Sequence, residues 1–132
     1  MALMVASELK PQTEEVIRRV IGCALTVHRT LGPGFLESIY ATALAIELEA
    51  EGLPFERERP ITVTYRNIEI RGQRVDLVVG NAVIVEVKAV ARLEPLFQAK
   101  LISYLRTTGL RAGLLVNFNA VLLKEGLKRI GL

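Results

Sequence analysis

At 132 residues the chain is the size of one domain, and its 51% hydrophobic content supplies an aliphatic core, with no tryptophan and only 5% aromatic residues. A net charge of +3 and a pI near 9.3 make it mildly basic, which is compatible with a polyanionic partner but does not identify one. The single cysteine, Cys23, excludes an internal disulfide and fits a reducing, cytoplasmic compartment.

The apolar start, Met1 to Ala6, is shorter than a signal h-region or a membrane span. It reads as a flexible arm over residues 1–12, followed by one domain over 13–132, with no membrane partner. Thr13 is placed to cap a first helix, with Glu14 and Glu15 in the turn where the dipole favours anions. Val16, Val20, Ile21, Ala24, Leu25, Val27 and Leu31 then recur at helical spacing until Gly32-Pro33-Gly34. On this helix Cys23 reads as a small core residue. His28, the sole histidine, reads as a surface or packing residue.

A second helix is expected from about Phe35 to Ala50, through Leu36, Ile39, Tyr40, Leu44, Ile46 and Leu48, ended by Gly52-Leu53-Pro54. The period then changes. Ile61, Val63 and Tyr65 alternate with polar residues, and Arg66-Asn67 is a turn before Ile68-Glu69-Ile70. Two apolar strands follow, around Asp76 and around Glu86 and Lys88. A third helix spans about Glu94 to Thr107, with Leu96, Leu101, Ile102, Tyr104 and Leu105 as its buried stripe, and Gly109 ends it. Ala112 to Phe118 reads as a buried strand, and Leu122 to Ile130 as a short half-helical tail. The order is α-α-β-β-β-α-β.

Asp76, Glu86 and Lys88 are the chemically informative residues. Charges inside an apolar sheet are costly unless they pair or bind something. Glu86 and Lys88 are two apart on a strand and share a face. A two-residue turn at Gly80-Asn81 would pair Asp76 with Val85 and send Glu86 to the other face. A three-residue loop, Gly80-Asn81-Ala82, pairs Asp76 with Glu86, and Gly and Asn supply the positive φ that such loops use. Opposed carboxylates repel unless a cation lies between them, and oxygen-only ligands suit Mg²⁺ or Mn²⁺. The alternative is an edge strand whose solvated face happens to carry Glu86 and Lys88.

The run from Val27 to Tyr40 contains Gly-x-x-Glu-x-x-Tyr at Gly34, Glu37 and Tyr40. Together with Val75-Asp76, Val85-Glu86-Val87-Lys88, Ser103-Tyr104-Leu105-Arg106 and Leu114-Leu115-Val116-Asn117-Phe118, it resembles the GxxExxY family of small prokaryotic proteins. That family is a branch of the PD-(D/E)XK nuclease superfamily. The resemblance spans roughly residues 13 to 130. It implies an α/β (α+β) restriction-endonuclease-like core, with a mixed central sheet flanked by helices and one extra N-terminal helix. It also implies hydrolysis of nucleic-acid phosphodiester bonds, in DNA, with Mg²⁺ or Mn²⁺ as cofactor. By position, Asp76, Glu86 and Glu37 stand where relatives hold the metal, and Lys88 completes the catalytic set. Read without the resemblance, Glu37 is a first-turn carboxylate that complements the helix dipole.

Relatives carry Gln-x-x-x-Tyr on the following helix, where this chain has Lys100 and Tyr104, which share a helical face. Lys100 could contact phosphate, or pair with Glu86 or Asp76 and take the metal's place. Gln98 is two residues out of register. Tyr104 and Tyr40 are candidate supports around the centre. Arg57, Arg59, Arg71, Arg74, Arg92, Lys100 and Arg106 are candidates for salt-sensitive, sequence-blind backbone contacts. Two rival readings keep the fold: a catalytically inactive nucleic-acid- or protein-binding module, and an assembly subunit whose oily surface forms a homodimer.

Overall fold

The computed structural model describes residues 9–132. The elements in chain order are α1 (Pro11–Leu31), α2 (Glu37–Ala50), β1 (Phe55–Tyr65), β2 (Ile68–Val79), β3 (Val83–Lys88), α3 (Pro95–Thr108), β4 (Ala112–Asn117), a 3₁₀ turn (Leu123–Gly126) and β5 (Leu127–Gly131). The strands form one mixed sheet in the order β1-β2-β3-β4-β5. Every neighbouring pair is antiparallel except β3 and β4, which run parallel and are joined through α3. Helices cover both faces, so the mixed α/β class and the restriction-endonuclease-like layout match the expectation.

Period-2 alternation sorts the sheet residues between two cores. Leu77, Val79, Val83, Val85, Val87, Leu114 and Val116 pack with Val20, Ala24, Val27, Tyr40, Leu44 and Leu48 of α1 and α2. Val78, Ile84 and Leu115 pack with Leu101 and Leu105 of α3 on the opposite face. The inner strands are apolar on both faces because both are covered.

Several boundaries differ from the sequence reading. Helix α1 begins at Pro11, with Lys10 rather than Thr13 at the N-cap position. Proline is tolerated in a first turn, where its missing N–H has no helical partner to lose. The helix therefore starts inside the expected arm, and Leu9 is buried; residues 1–8 of that arm lie outside the described residues. In α2 the buried stripe is Tyr40, Leu44, Ala45 and Leu48, while Leu36, Ile39 and Ile46 are exposed. In α3 only Leu101 and Leu105 are fully buried, and Leu96 faces out. The expected half-helical tail is a single 3₁₀ turn followed by β5, which pairs along β4 from Val116↔Leu127 to Ala112↔Gly131. Cys23 is buried and its thiol pKa is pushed up by burial, consistent with a core residue. His28 Nε2 donates a hydrogen bond to the Ala120 carbonyl oxygen at 2.7 Å, tying α1 to the loop after β4.

Candidate active site

Strands β2 and β3 are joined by the three-residue loop Gly80-Asn81-Ala82, and the ladder runs Val79↔Val83, Val78↔Ile84, Leu77↔Val85. The φ angles at Gly80 and Asn81 are +61° and +51°, the left-handed values the loop demands. This register sets Asp76 against Glu86. There the two strands fork, and side chains replace the backbone ladder. The Asp76 N–H donates to Glu86 Oε2 at 2.8 Å, and the Val87 N–H donates to Asp76 Oδ2 at 2.8 Å. Each carboxylate thus spends one oxygen on the neighbouring strand.

The pair is poorly solvated. Glu86 is only 7% exposed. Its burial, followed by the charge of Asp76, lifts its pKa from 4.5 to about 7, against the pull of the Asp76 N–H and Lys88, with Glu37 adding a further upward push. Asp76 is also raised, first by burial, and Glu58 adds to the rise while the Val87 N–H, Lys88 and Arg57 oppose it. Two acids destabilised in their ionised forms and carrying no ion pair are a place where positive charge is welcome.

A cavity of about 220 Å³ opens beside the fork, lined by Glu37, Ser38, Ala41, Glu58, Asp76 and Val87. Glu37 is the first residue of α2 and reaches this cavity from the helix side. The structure thus brings Asp76 and Glu86 into contact and Glu37 to the same cavity as Asp76. Neither Glu86 nor Lys88 lines that cavity; the Lys88 Nζ rests 5.0 Å from the centre of the Phe97 ring, a cation–π contact. It is still near enough to lower the pKa of both acids.

The flanking residues divide. Tyr104 accepts a hydrogen bond from Gln73 Nε2 at 3.3 Å. Its pKa is raised by burial and by Glu86 and Asp76, which marks it as a neighbour of the acids. Lys100 is exposed and makes no ion pair with Asp76 or Glu86. Of the two roles open to it, pairing with the acids is not seen, and phosphate contact stays open. Tyr40 is fully buried, stacked on Phe118 at 4.7 Å. Its hydroxyl donates to the Gly32 carbonyl and accepts from the Phe35 N–H at 3.1 Å, so it holds the loop that leads into Glu37. Arg57 donates to Thr42 Oγ1, and Arg92 pairs with Glu94.

Two residues escaped the sequence reading. Glu58 lines the cavity and carries a φ of +50° inside β1. Its signal in the sequence is faint: Glu56-Arg57-Glu58-Arg59 reads as an ordinary solvated strand. Asn117 is buried at the end of β4, where it accepts from the Val90 N–H and donates to the Val90 carbonyl, fixing the segment just beyond Lys88. Its type gave the signal, a polar residue closing an apolar run.

All donors at the fork are oxygens, and each acid keeps one oxygen free of the backbone bonds. Among the described residues no three acidic, histidine or cysteine side chains form a ready cage for a metal. A divalent cation at the fork would rest on one or two carboxylates, with water and substrate phosphate completing the shell. The residues present therefore fit a hard divalent cation.

A sequence model of the PD-(D/E)XK nuclease superfamily matches residues 14–130. The chain belongs to that superfamily, whose members generally use divalent metals and whose nuclease character implies a nucleic-acid substrate. No curated protein and no solved structure matches the chain.

Proposed function

We propose that this superfamily member is a Mg²⁺- or Mn²⁺-dependent nuclease that hydrolyses phosphodiester bonds in DNA, and that within the superfamily it is a GxxExxY-type protein. The observation that carries the reading is the Asp76–Glu86 pair: two carboxylates brought together at a strand fork, with Glu86 held to a pKa of about 7 and, among the described residues, no salt bridge to either. When bound, the divalent cation supplies Lewis-acid polarisation of the scissile phosphate and lowers the pKa of water. Asp76 and Glu86 would hold it, with Glu37 reaching the same cavity as Asp76 from α2. Lys88, on the strand beside Glu86, would orient the attacking water and stabilise charge on the phosphoryl oxygens. Tyr104, a neighbour of the acids, is held by Gln73, and exposed Lys100 and Arg106 contact backbone phosphate.

The functional unit in this reading is the single domain from α1 to β5, working in a reducing cytoplasm. Among the described residues no helix is long and apolar enough to cross a membrane. A homodimer belongs to the same proposal. Val63, Tyr65, Ile68 and Ile70 stand exposed on one face of the β1–β2 hairpin, paired as Val63↔Ile70 and Tyr65↔Ile68, and a second copy would cover them.

The rival reading keeps the fold as a catalytically inactive nucleic-acid- or protein-binding module. The test is nicking of supercoiled plasmid with Mg²⁺, Mn²⁺ or EDTA, with Asp76→Asn as control. Cleavage that needs the metal and Asp76 supports the proposal. Cleavage that survives EDTA, or metal-loaded protein that cleaves neither plasmid nor single-stranded DNA, sinks it.

A further inference from the structure

We propose that Phe97 is a positioning residue: the face of its ring holds the Lys88 ammonium apart from the Asp76–Glu86 pair, so that the acids are not neutralised from within and the lysine stays free for phosphoryl charge. This rests on the nuclease reading of the fork and names what keeps its charges separate. Glu86 and Lys88 are two residues apart on β3 and share a face. A flexible lysine beside a poorly solvated glutamate has a strong reason to fold back and pair with it. It does not do so: among the described residues no salt bridge joins Lys88 to Asp76 or Glu86. Its Nζ lies instead 5.0 Å from the centre of the Phe97 ring.

The ring, not the helix that carries it, draws the ammonium there. Phe97 lies in the first turn of α3, the positive end of the helix dipole, which disfavours a cation. Glu94, the acid at the start of that helix, is paired with Arg92 at 3.2 Å. What remains is the negative face of the aromatic ring. The ring is itself held, half-buried against the core of Ile84, Leu101 and Leu105. The main chain around Lys88 is held as well. Its carbonyl accepts from the Phe118 N–H at 2.9 Å, and Asn117 bonds both the N–H and the carbonyl of Val90. With the backbone fixed, the four-carbon stem alone chooses between ring and acids, and Phe97 decides the choice.

The experiment is Mn²⁺ binding to the full-length protein without substrate, measured by calorimetry and by the electron paramagnetic resonance signal of free Mn²⁺. The variants are Phe97→Leu, Phe97→Leu combined with Lys88→Ala, and pentafluorophenylalanine at position 97. Leucine keeps apolar bulk and removes the ring. The fluorinated ring keeps the shape and reverses the electrostatics of the face, so it keeps the test valid if the leucine variant folds poorly. Without an attractive ring Lys88 should pair with the acids and compete with the metal. The expected result is a Kd raised about fivefold in both single variants and returned to within about twofold of wild type by adding Lys88→Ala. A purely structural role for Phe97 would not be rescued by a second truncation. Affinity retained within about twofold in both single variants, or lost and not restored by Lys88→Ala, overturns this inference and leaves the nuclease reading standing. Wild-type protein that takes up no Mn²⁺ overturns both.

Discussion

Glutamine at position 86 isolates the electrostatics of the strand fork. Glu86 is buried, and its pKa in the folded chain is about 7 against 4.5 in the unfolded one. An acid with a raised folded pKa binds its proton more tightly in the native state. Protonation of Glu86 therefore favours folding, fully below pH 4.5, and that contribution is lost as pH rises towards 7. At ~1.4 kcal/mol for each pKa unit, the loss comes to roughly 3 kcal/mol. That is a large share of the total stability of about 5–15 kcal/mol usual for a domain. Glutamine keeps an oxygen for the Asp76 N–H and cannot ionise. Metal-free Glu86→Gln should match wild type to within about 1 kcal/mol near pH 4.5 and exceed it by roughly 3 kcal/mol above about pH 7.5. Urea unfolding in EDTA across this range measures both. A stability gap that does not change with pH would refute the electrostatic argument, as would a glutamine variant less stable than wild type at the alkaline end. Metal reverses the ranking: with saturating Mn²⁺ wild type should gain stability as RT ln(1 + [L]/Kd), and Glu86→Gln should gain far less.

Lys88→Ala should leave Mn²⁺ affinity within about twofold of wild type and lower plasmid nicking by ~100-fold, because Lys88 serves the water and the phosphoryl charge rather than the metal. Lys100→Gln should leave Mn²⁺ affinity unchanged, since Lys100 is exposed and makes no ion pair with the acids, and should lower plasmid nicking by a few-fold through the lost phosphate contact; a gain in Mn²⁺ affinity would show that it competes for the metal's place. Tyr40→Phe should cost about 1–2 kcal/mol by thermal or urea unfolding, from the two hydrogen bonds its hydroxyl makes to the Gly32–Phe35 loop. Gly113→Ala should cost about 1–3 kcal/mol, because its new methyl group would lie 2.8–2.9 Å from the buried Leu101 side chain.

Local pattern carried most of the fold. The helical stripe of α1, the period-2 alternation of the inner strands and the Arg66-Asn67 turn, whose φ angles are +50° and +65°, are each properties of a short window. What sequence left open depends on distant partners. Leu127 to Gly131 has neither a helical nor a strand period; it is a strand because β4 offers an edge to pair with. Leu36, Ile39 and Ile46 fit an apolar helix face, yet no element covers them. Glu58 belongs to the cavity through a skipped ladder step between two long strands, and no window of sequence contains both Glu58 and its partner Asp76 at strand spacing.

The acidic pair shows where the local and the distant meet. Asp76 and Glu86 face each other only because the loop has three residues, and one residue fewer would send Glu86 to the other face. Gly and Asn permit that loop, as sequence suggests, but the rest of the molecule holds it. The Gly80 N–H donates to the Pro54 carbonyl at 2.8 Å, Asn81 Oδ1 accepts from Arg59, and a side chain at position 80 would press on Val16 of α1 at 3.1 Å. Helix α1, the approach to β1 and β1 itself therefore all constrain the turn that sets the register. The charge repulsion at the fork works against that register, and these contacts, together with the bonds that the Asp76 and Val87 N–H groups donate to the two carboxylates, keep it in place.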